Sequence, residues 1–225
     1  MNARQIRLLT VAALPLVTGG WFATAAAEGP QYTYFDGGYQ WVDTNNAVRQ
    51  DGAQHEGVKL NASLGLTDVG PVGLHLFAEF FDGDLSGGSD GCGDRDSQSY
   101  VAGFGAHYKL TEATHIVANL GYVDVESDVV TGNNCAKSSV SDDGYEVEGL
   151  IRSALSEQVE IEVGYRYTEL NDSDIDNRDA IIGLGYLVND QLTLRVRGVV
   201  FDDDTGIELG VRYNFASLLG RDNLF

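Results

Sequence analysis

Residues 58–66 read Val-Lys-Leu-Asn-Ala-Ser-Leu-Gly-Leu, with an aliphatic residue at every even position and a polar residue or glycine at every odd one. A period of two sends successive side chains to opposite faces of a strand, so one face of this segment suits an apolar medium and the other a polar one. The pattern recurs further along. Val72, Leu74, Leu76, Ala78 and Phe80 alternate with Gly73, His75, Phe77, Glu79 and Phe81, and Tyr100, Ala102, Phe104, Ala106, Tyr108 and Leu110 alternate with a set containing Gly103, Gly105, His107 and Lys109. None of these runs has the apolar length of a membrane helix, whereas a tilted strand crosses a bilayer with about 9 to 11 residues. The pattern predicts an all-β protein, a transmembrane antiparallel up-and-down β-barrel.

Ten strands are predicted, over 31–42, 57–66, 72–81, 99–110, 115–124, 144–155, 159–169, 179–188, 191–201 and 207–215, with an eight-stranded barrel as the alternative. The connections alternate in length. Longer or more acidic loops are expected at 43–56, 82–98, 125–143, 170–178 and 202–206, and tight turns at Thr67 to Pro71, Thr111 to Thr114, Ser156 to Gln158 and Asn189-Asp190. In outer-membrane barrels short turns face the periplasm and long loops the exterior, which sets the orientation and puts both ends of the barrel in the periplasm. A soluble β-sandwich also alternates apolar and polar positions, but nothing in it requires long and short loops to take turns.

Domain organisation follows from the ends. Arg4 and Arg7 precede an apolar run from Leu8 that closes in Ala25-Ala26-Ala27, the three regions of a secretory signal peptide over 1–27. The barrel is expected over 28–215 and a short periplasmic tail over 216–225. The full chain carries −20, and its first 27 residues hold two of the 14 basic residues and none of the 34 acids, so the remainder carries −22. That balance excludes nucleic acid as a partner, because phosphate binding needs the opposite sign.

Phase assigns a charged inner face. Lys59, Lys109, Arg152, Arg166, Arg195, Arg197 and Arg212 fall on the polar phase with Asp36, Glu79, Glu146, Glu148, Glu160, Glu162 and Glu208, seven cations against seven anions. Such a balance suits a narrow lumen, where an unpaired charge is costly and pairing offsets desolvation. Gly103, Gly105, Gly121, Gly164, Gly183, Gly185 and Gly210 share the inward phase and would thin the lumen of a pore. Aromatic residues sort to strand ends: Tyr39, Trp41, Phe80, Tyr100, Tyr122, Tyr145, Tyr165 and Tyr167 toward the outer interface, and Tyr108, Tyr186, Tyr213 and Phe215 toward the periplasmic one. Ile207, Leu209, Val211, Tyr213 and Phe215 alternate back from an aromatic, similar to the closing strand through which barrels meet their assembly machinery.

Two segments carry a family resemblance. Tyr32-Thr-Tyr34-Phe-Asp36-Gly37-Gly38-Tyr39 and Gly144-Tyr-Glu-Val-Glu148-Gly-Leu-Ile-Arg152-Ser-Ala-Leu155 resemble the Ax21 family of small outer-membrane barrels, within the OmpA-like and OmpX-like superfamily. The resemblance implies a closed small barrel in the outer membrane and brings no established activity. The acidic loops and both cysteines lie outside the matching segments, so loop-borne specificity does not transfer.

Candidate chemistry is sparse. A hydrolase of the outer rim needs an acid–base pair within hydrogen-bond reach. Of the four histidines only His55, in the first loop near Asp43, Asp51 and Glu56, is expected at the rim; His75, His107 and His115 are expected at the periplasmic end, the first two within the lumen network. Cys92 and Cys135 fall in neighbouring exported loops, where an even pair usually forms a disulfide. The loops carry acids far in excess of their basic residues Arg49, Arg95, Lys137 and Arg178, and Asp172, Asp174 and Asp176 with Asp202, Asp203 and Asp204 are oxygen-rich enough to attract surface Ca²⁺ or Mg²⁺. No other cofactor is expected. The reading is a non-enzymatic monomer in outer-membrane lipid and lipopolysaccharide, with a structural or cell-surface role. A narrow passive pore and a surface hydrolase are the alternatives.

Overall fold

The computed structural model describes residues 29–44, 53–86, 95–131, 135–172, 176–200 and 205–215. Within these lie β1 (Tyr34–Thr44), β2 (Ala53–Val69), β3 (Val72–Ser86), β4 (Arg95–Lys109), β5 (Thr114–Thr131), β6 (Ala136–Ala154), β7 (Val159–Leu170), β8 (Asp176–Leu187), β9 (Leu192–Val200) and β10 (Thr205–Asn214). Each strand pairs antiparallel with its sequence neighbours, and β1 pairs with β10, placing Asp36 opposite Arg212 and Trp41 opposite Ile207. The sheet is closed. Ten strands replace the eight-stranded alternative. The segments proposed as signal peptide and tail lie outside the described residues.

The polarity of the barrel is inverted relative to a soluble fold. Phe104 is 60% exposed, Ile182 58% and Tyr122 56%, whereas Asp36 is wholly buried and Lys59, Arg152, Glu162 and Arg212 are nearly so. The period-2 alternation of each strand sets this arrangement, because the lipid-facing phase is apolar and the charged partners lie on the inward phase. On β4 the outward row runs Tyr100, Ala102, Phe104, Ala106, Tyr108, and its eight residue steps span about 27 Å along the strand. Aromatic contacts mark the outer end of this band: Tyr39 lies 4.6 Å from Trp41 and Phe80 4.9 Å from Tyr100, centroid to centroid.

The strands run further outward than the hydrophobic pattern predicts. Residues 53–56, 82–86, 95–98, 125–131, 136–143 and 176–178, expected as loop, are strand. Val125 through Thr131 pair with Asp142 through Ala136 in one continuous hairpin. Beyond the membrane both faces of a hairpin are wet, so alternation stops while the backbone ladder continues. At the other end, residues 31–33, expected in the first strand, precede β1 and fold into the lumen.

Three of the short turns, at the end that outer-membrane barrels direct to the periplasm, share one device. In Thr111-Glu-Ala-Thr, Ser156-Glu-Gln-Val and Asn189-Asp-Gln-Leu, the first side-chain oxygen accepts from the backbone N–H groups two and three residues on, at 2.9 to 3.3 Å. The β2–β3 turn differs. Strand pairing persists to Val69 and Val72, leaving only Gly70-Pro71, where Gly70 has φ of 63° and proline supplies a negative φ, the sign combination of a type II′ turn.

Inward glycines set where strands approach most closely. A Cβ on Gly103 would meet the Leu120 carbonyl and lie 2.6 Å from the Gly121 Cα on β5, whereas a Cβ on Gly149, which faces outward, would meet nothing within 4 Å. Gly103→Ala is therefore expected to destabilise the barrel by about 1 to 3 kcal/mol, and Gly149→Ala to leave it unchanged or slightly stabilised. Urea midpoints of the two refolded variants, followed by the gel shift between heated and unheated samples, check this; equal midpoints would contradict it.

Candidate functional site

The lumen is the candidate site, and it is built from the inward phase of every strand. Two ion-pair clusters fill it. In the first, Lys59 on β2 bonds Glu79 on β3 at 2.7 Å and reaches Glu208 on β10 at 3.8 Å, while Arg166 on β7 reaches Glu148 at 2.9 Å, Glu146 at 3.5 Å and Glu79 at 3.7 Å. In the second, Arg195 pairs with Asp36 and, at 3.0 Å, with Glu162; Arg197 donates to Glu162 at 2.6 Å. Arg212 reaches both Asp36 and Glu160 at 3.5 Å, and Arg152 bonds Glu160 at 2.6 Å.

Several of these pairs cross the barrel rather than run along its wall. Arg166 and Glu79 are four strands apart, Arg212 and Glu160 three, and Arg195 and Asp36 two. Long guanidinium side chains make this possible, since five donors on a planar fork can serve carboxylates on different strands. The result is a lattice of charge-assisted bonds across the lumen at mid-depth.

Lys109 is the exception among the predicted network members. It bonds Asp68 at 2.7 Å at the periplasmic mouth, where the two side chains are 35% and 49% exposed. The seven-to-seven balance also changes, because Asp179, outside the predicted set, is buried on the inward face of β8 opposite Arg166. Its inward phase was readable, but its place at a predicted strand start hid it. Buried apolar residues share the inner face as well, among them Val42, Phe81, Val101, Val117, Leu150 and Ile181.

The periplasmic half holds a feature that alternation does not encode. Tyr32, from the segment preceding β1, lies inside the barrel with its ring stacked on His107 at 3.7 Å and 3°, and with His75 and His115 at 5.2 and 5.8 Å. Its hydroxyl shares a 3.2 Å hydrogen bond with His115 Nδ1, and Arg152 sits 5.2 Å from its centroid. Val117, Leu150 and Ile181 complete the packing around the ring. Asn119 connects this cage to the network above, contacting His75 Nε2 at 2.9 Å and donating to Glu148 at 2.9 Å. Beside the segment a cavity of about 260 Å³ opens at the mouth, lined by Gln31, Glu160, Thr193, Arg212 and Asn214 among others.

His55 belongs to β2 rather than to a loop, pairs in register with Val42, and packs edge-on against Phe81 at 4.7 Å. At the rim, Cys135 precedes β6 with φ of 54°, a left-handed conformation uncommon outside glycine, and no described cysteine is a free thiol. Asp172 is exposed, and its N–H donates to Asp142 at 3.0 Å. Asp176 is the first residue of β8. Asp51, Cys92, Asp174, Asp202, Asp203 and Asp204 lie outside the described residues. Among the described residues no group of three or more His, Cys, Asp or Glu is arranged to hold a metal ion.

Closed ladder, apolar exterior and charged interior agree with a sequence match over residues 9–187 to the outer membrane protein beta-barrel domain. The chain belongs to that family. The match ends with β8, so β9 and β10 are assigned from the fold itself. No curated protein matches the chain. Solved barrels similar to it include the translocator domain of autotransporter NalP from Neisseria meningitidis, 8% identical, covering 84% of this chain and 90% of its own, with a TM-score of 0.51. The beta domain of the Bordetella autotransporter BrkA is 10% identical, covers 83% and 100%, and has a TM-score of 0.50. The attachment invasion locus protein Ail of Yersinia pestis is 13% identical, covers 81% and 97%, and has a TM-score of 0.46. At these identities the likeness concerns the fold alone.

Arg166 separates the network from ordinary surface pairing. Arg166→Ala leaves Glu146 and Glu148 in the lumen without the cation that pairs them, and Glu79 with Lys59 alone, and is expected to destabilise the barrel by about 3 to 5 kcal/mol. Lys109→Ala removes a half-exposed pair and should cost less than about 1 kcal/mol. Urea unfolding of both variants reads the difference directly.

Proposed function

We propose that this outer-membrane barrel is a non-enzymatic, closed scaffold that acts at the cell surface through its extended acidic hairpins. The observation that carries this reading is the set of ion pairs crossing the lumen, Arg166 to Glu79 and Arg212 to Glu160 above all, with Tyr32 filling the periplasmic half beneath them. A barrel of this size is only slightly wider than the eight-stranded kind whose side chains fill the interior. With the lumen occupied, the outer hairpins are the part free to meet a partner. The hydrolase alternative loses support because His55 packs on Phe81.

The finer features belong to the same proposal. The similarity to the Ax21 group, export by the segment at 1–27, insertion by the barrel assembly machinery through the alternating last strand, and a monomer among lipopolysaccharide are consistent with it. So are a Cys92–Cys135 clip between neighbouring hairpins and a rim at Asp172, Asp174, Asp176, Asp202, Asp203 and Asp204 that attracts Ca²⁺ or Mg²⁺.

Two measurements test the proposal. In planar bilayers the refolded protein should insert without steady single-channel steps at neutral pH; regular, voltage-independent steps would establish the narrow-pore alternative. Mass spectrometry of unreduced protein from outer membranes should find the peptides of Cys92 and Cys135 joined. Recovery of two free thiols would remove the clip.

A further inference from the structure

We propose that the segment 29–33 is an acid-released plug of the periplasmic half of the lumen, with His75, His107 and His115 as its sensor. This inference stands apart from the surface role, since it concerns the opposite mouth and would hold whether or not the hairpins bind a partner.

The segment lies outside the strand ladder. Contacts from described residues hold its backbone: Ser63 Oγ donates to the Tyr32 carbonyl at 2.8 Å, Arg152 to the Gln31 carbonyl at 3.3 Å and the Phe215 N–H to the Thr33 carbonyl at 3.1 Å. Thr33 Oγ1 adds one side-chain contact, accepting from the Gly65 N–H at 3.1 Å. What seats it deeply is the Tyr32 ring among three imidazoles, and those imidazoles crowd one another, with His107 5.4 Å from His115 and 6.1 Å from His75. Uncharged rings stack without penalty at these distances. Imidazole titrates nearest to neutral of all side chains, at about pH 6.5 when unperturbed, and charging this cluster would set two or three like charges against each other and against Arg152.

Among the described residues, the anions acting on these rings are already engaged. The charged groups acting on the three rings are Asp68, Lys109, Glu148, Arg152 and Glu160, and Arg212 acts with Arg152 and Glu160 on Tyr32 itself. Asp68 already holds Lys109, Glu148 holds Arg166, and Glu160 holds both Arg152 and Arg212. Asp68 lies 3.6 Å from His107 and can offset one proton at most. A single imidazolium is attracted to the tyrosine face, but the second and third face one another, Lys109 and Arg152, while Glu148 and Glu160 are already engaged by arginines. Withdrawal of the segment relieves this by admitting water through the cavity that already adjoins Gln31. The strands are closed by a continuous backbone ladder that carries no titratable group, so they are expected to hold while the plug leaves.

The test is hydrogen exchange, read by mass spectrometry, on barrel purified from outer membranes at about pH 7.5 and about pH 5, with rates corrected for the intrinsic pH dependence. Peptides covering 29–33 and Phe215 should exchange at least about tenfold faster in acid, while 101–105 in β4 stays protected at both values. Tyr32→Ala should give fast exchange of 29–33 at both pH values. The combined His75→Gln, His107→Gln and His115→Gln variant should keep the segment protected at both, and His107→Gln alone, which touches the ring most closely, should blunt the acid response if the combined variant does not refold. The proposal is overturned by equal corrected rates in the wild-type protein, by acid exchange that rises equally in 101–105, or by a full wild-type response in the glutamine variants.

Discussion

Everything in this barrel depends on closing the hydrogen-bond ladder between its first and last strands. In the hydrocarbon of a bilayer an unpaired backbone N–H or C=O has no water to turn to, so a sheet can span only if it has no edge. Pairing of β1 with β10 over Tyr34 to Asp43 removes both edges at once. It also brings Asp36 to Arg212 and Gln40 to Glu208, so the seam that closes the backbone also starts the interior network.

Closure then dictates what the interior must be. With lipid outside, alternation forces every second side chain into a space too narrow to be bulk water, and this chain fills it with opposite charges. Such pairs do not stabilise a protein merely by existing, because desolvation offsets much of the attraction. Here they do something apolar side chains would do less well: arginine side chains bridge strands that share no hydrogen bonds, as Arg166 does between β7 and β3. The wall is thereby cross-linked through its own lumen.

The two ends of the molecule are built on different terms. At the periplasmic face, economy rules: Thr111, Ser156 and Asn189 each satisfy two turn amides, and the inserted Tyr32 segment packs the mouth. At the outer face the ladder continues past the aromatic belt into hairpins without the apolar alternation of the membrane band, as in Lys137 to Asp143, where Lys137, three serines and Val140 are exposed and Asp142 and Asp143 half-buried. These hairpins can vary in sequence without touching the membrane, and the backbone pairing that supports them is indifferent to side-chain polarity.

The sequence alone determined the strand count, the membrane-facing phase and most of the inner charges, because in lipid the side-chain period of two is under direct physical selection at every position. It was silent where that selection lapses. Strand extension over 125–131 and 136–143 carries no apolar alternation, so those residues read as loop. Which charges meet across the lumen, as with Arg212 and Glu160, depends on barrel circumference and on the reach of side chains from strands far apart in sequence. Asp179 joined the interior, and Lys109 left it for Asp68, through position along the barrel axis, which phase does not report. Tyr32 reads in sequence as the start of a strand; only the closed tertiary structure, with three histidines from β3, β4 and β5 converging on one side of the lumen, gave its ring a place inside the barrel.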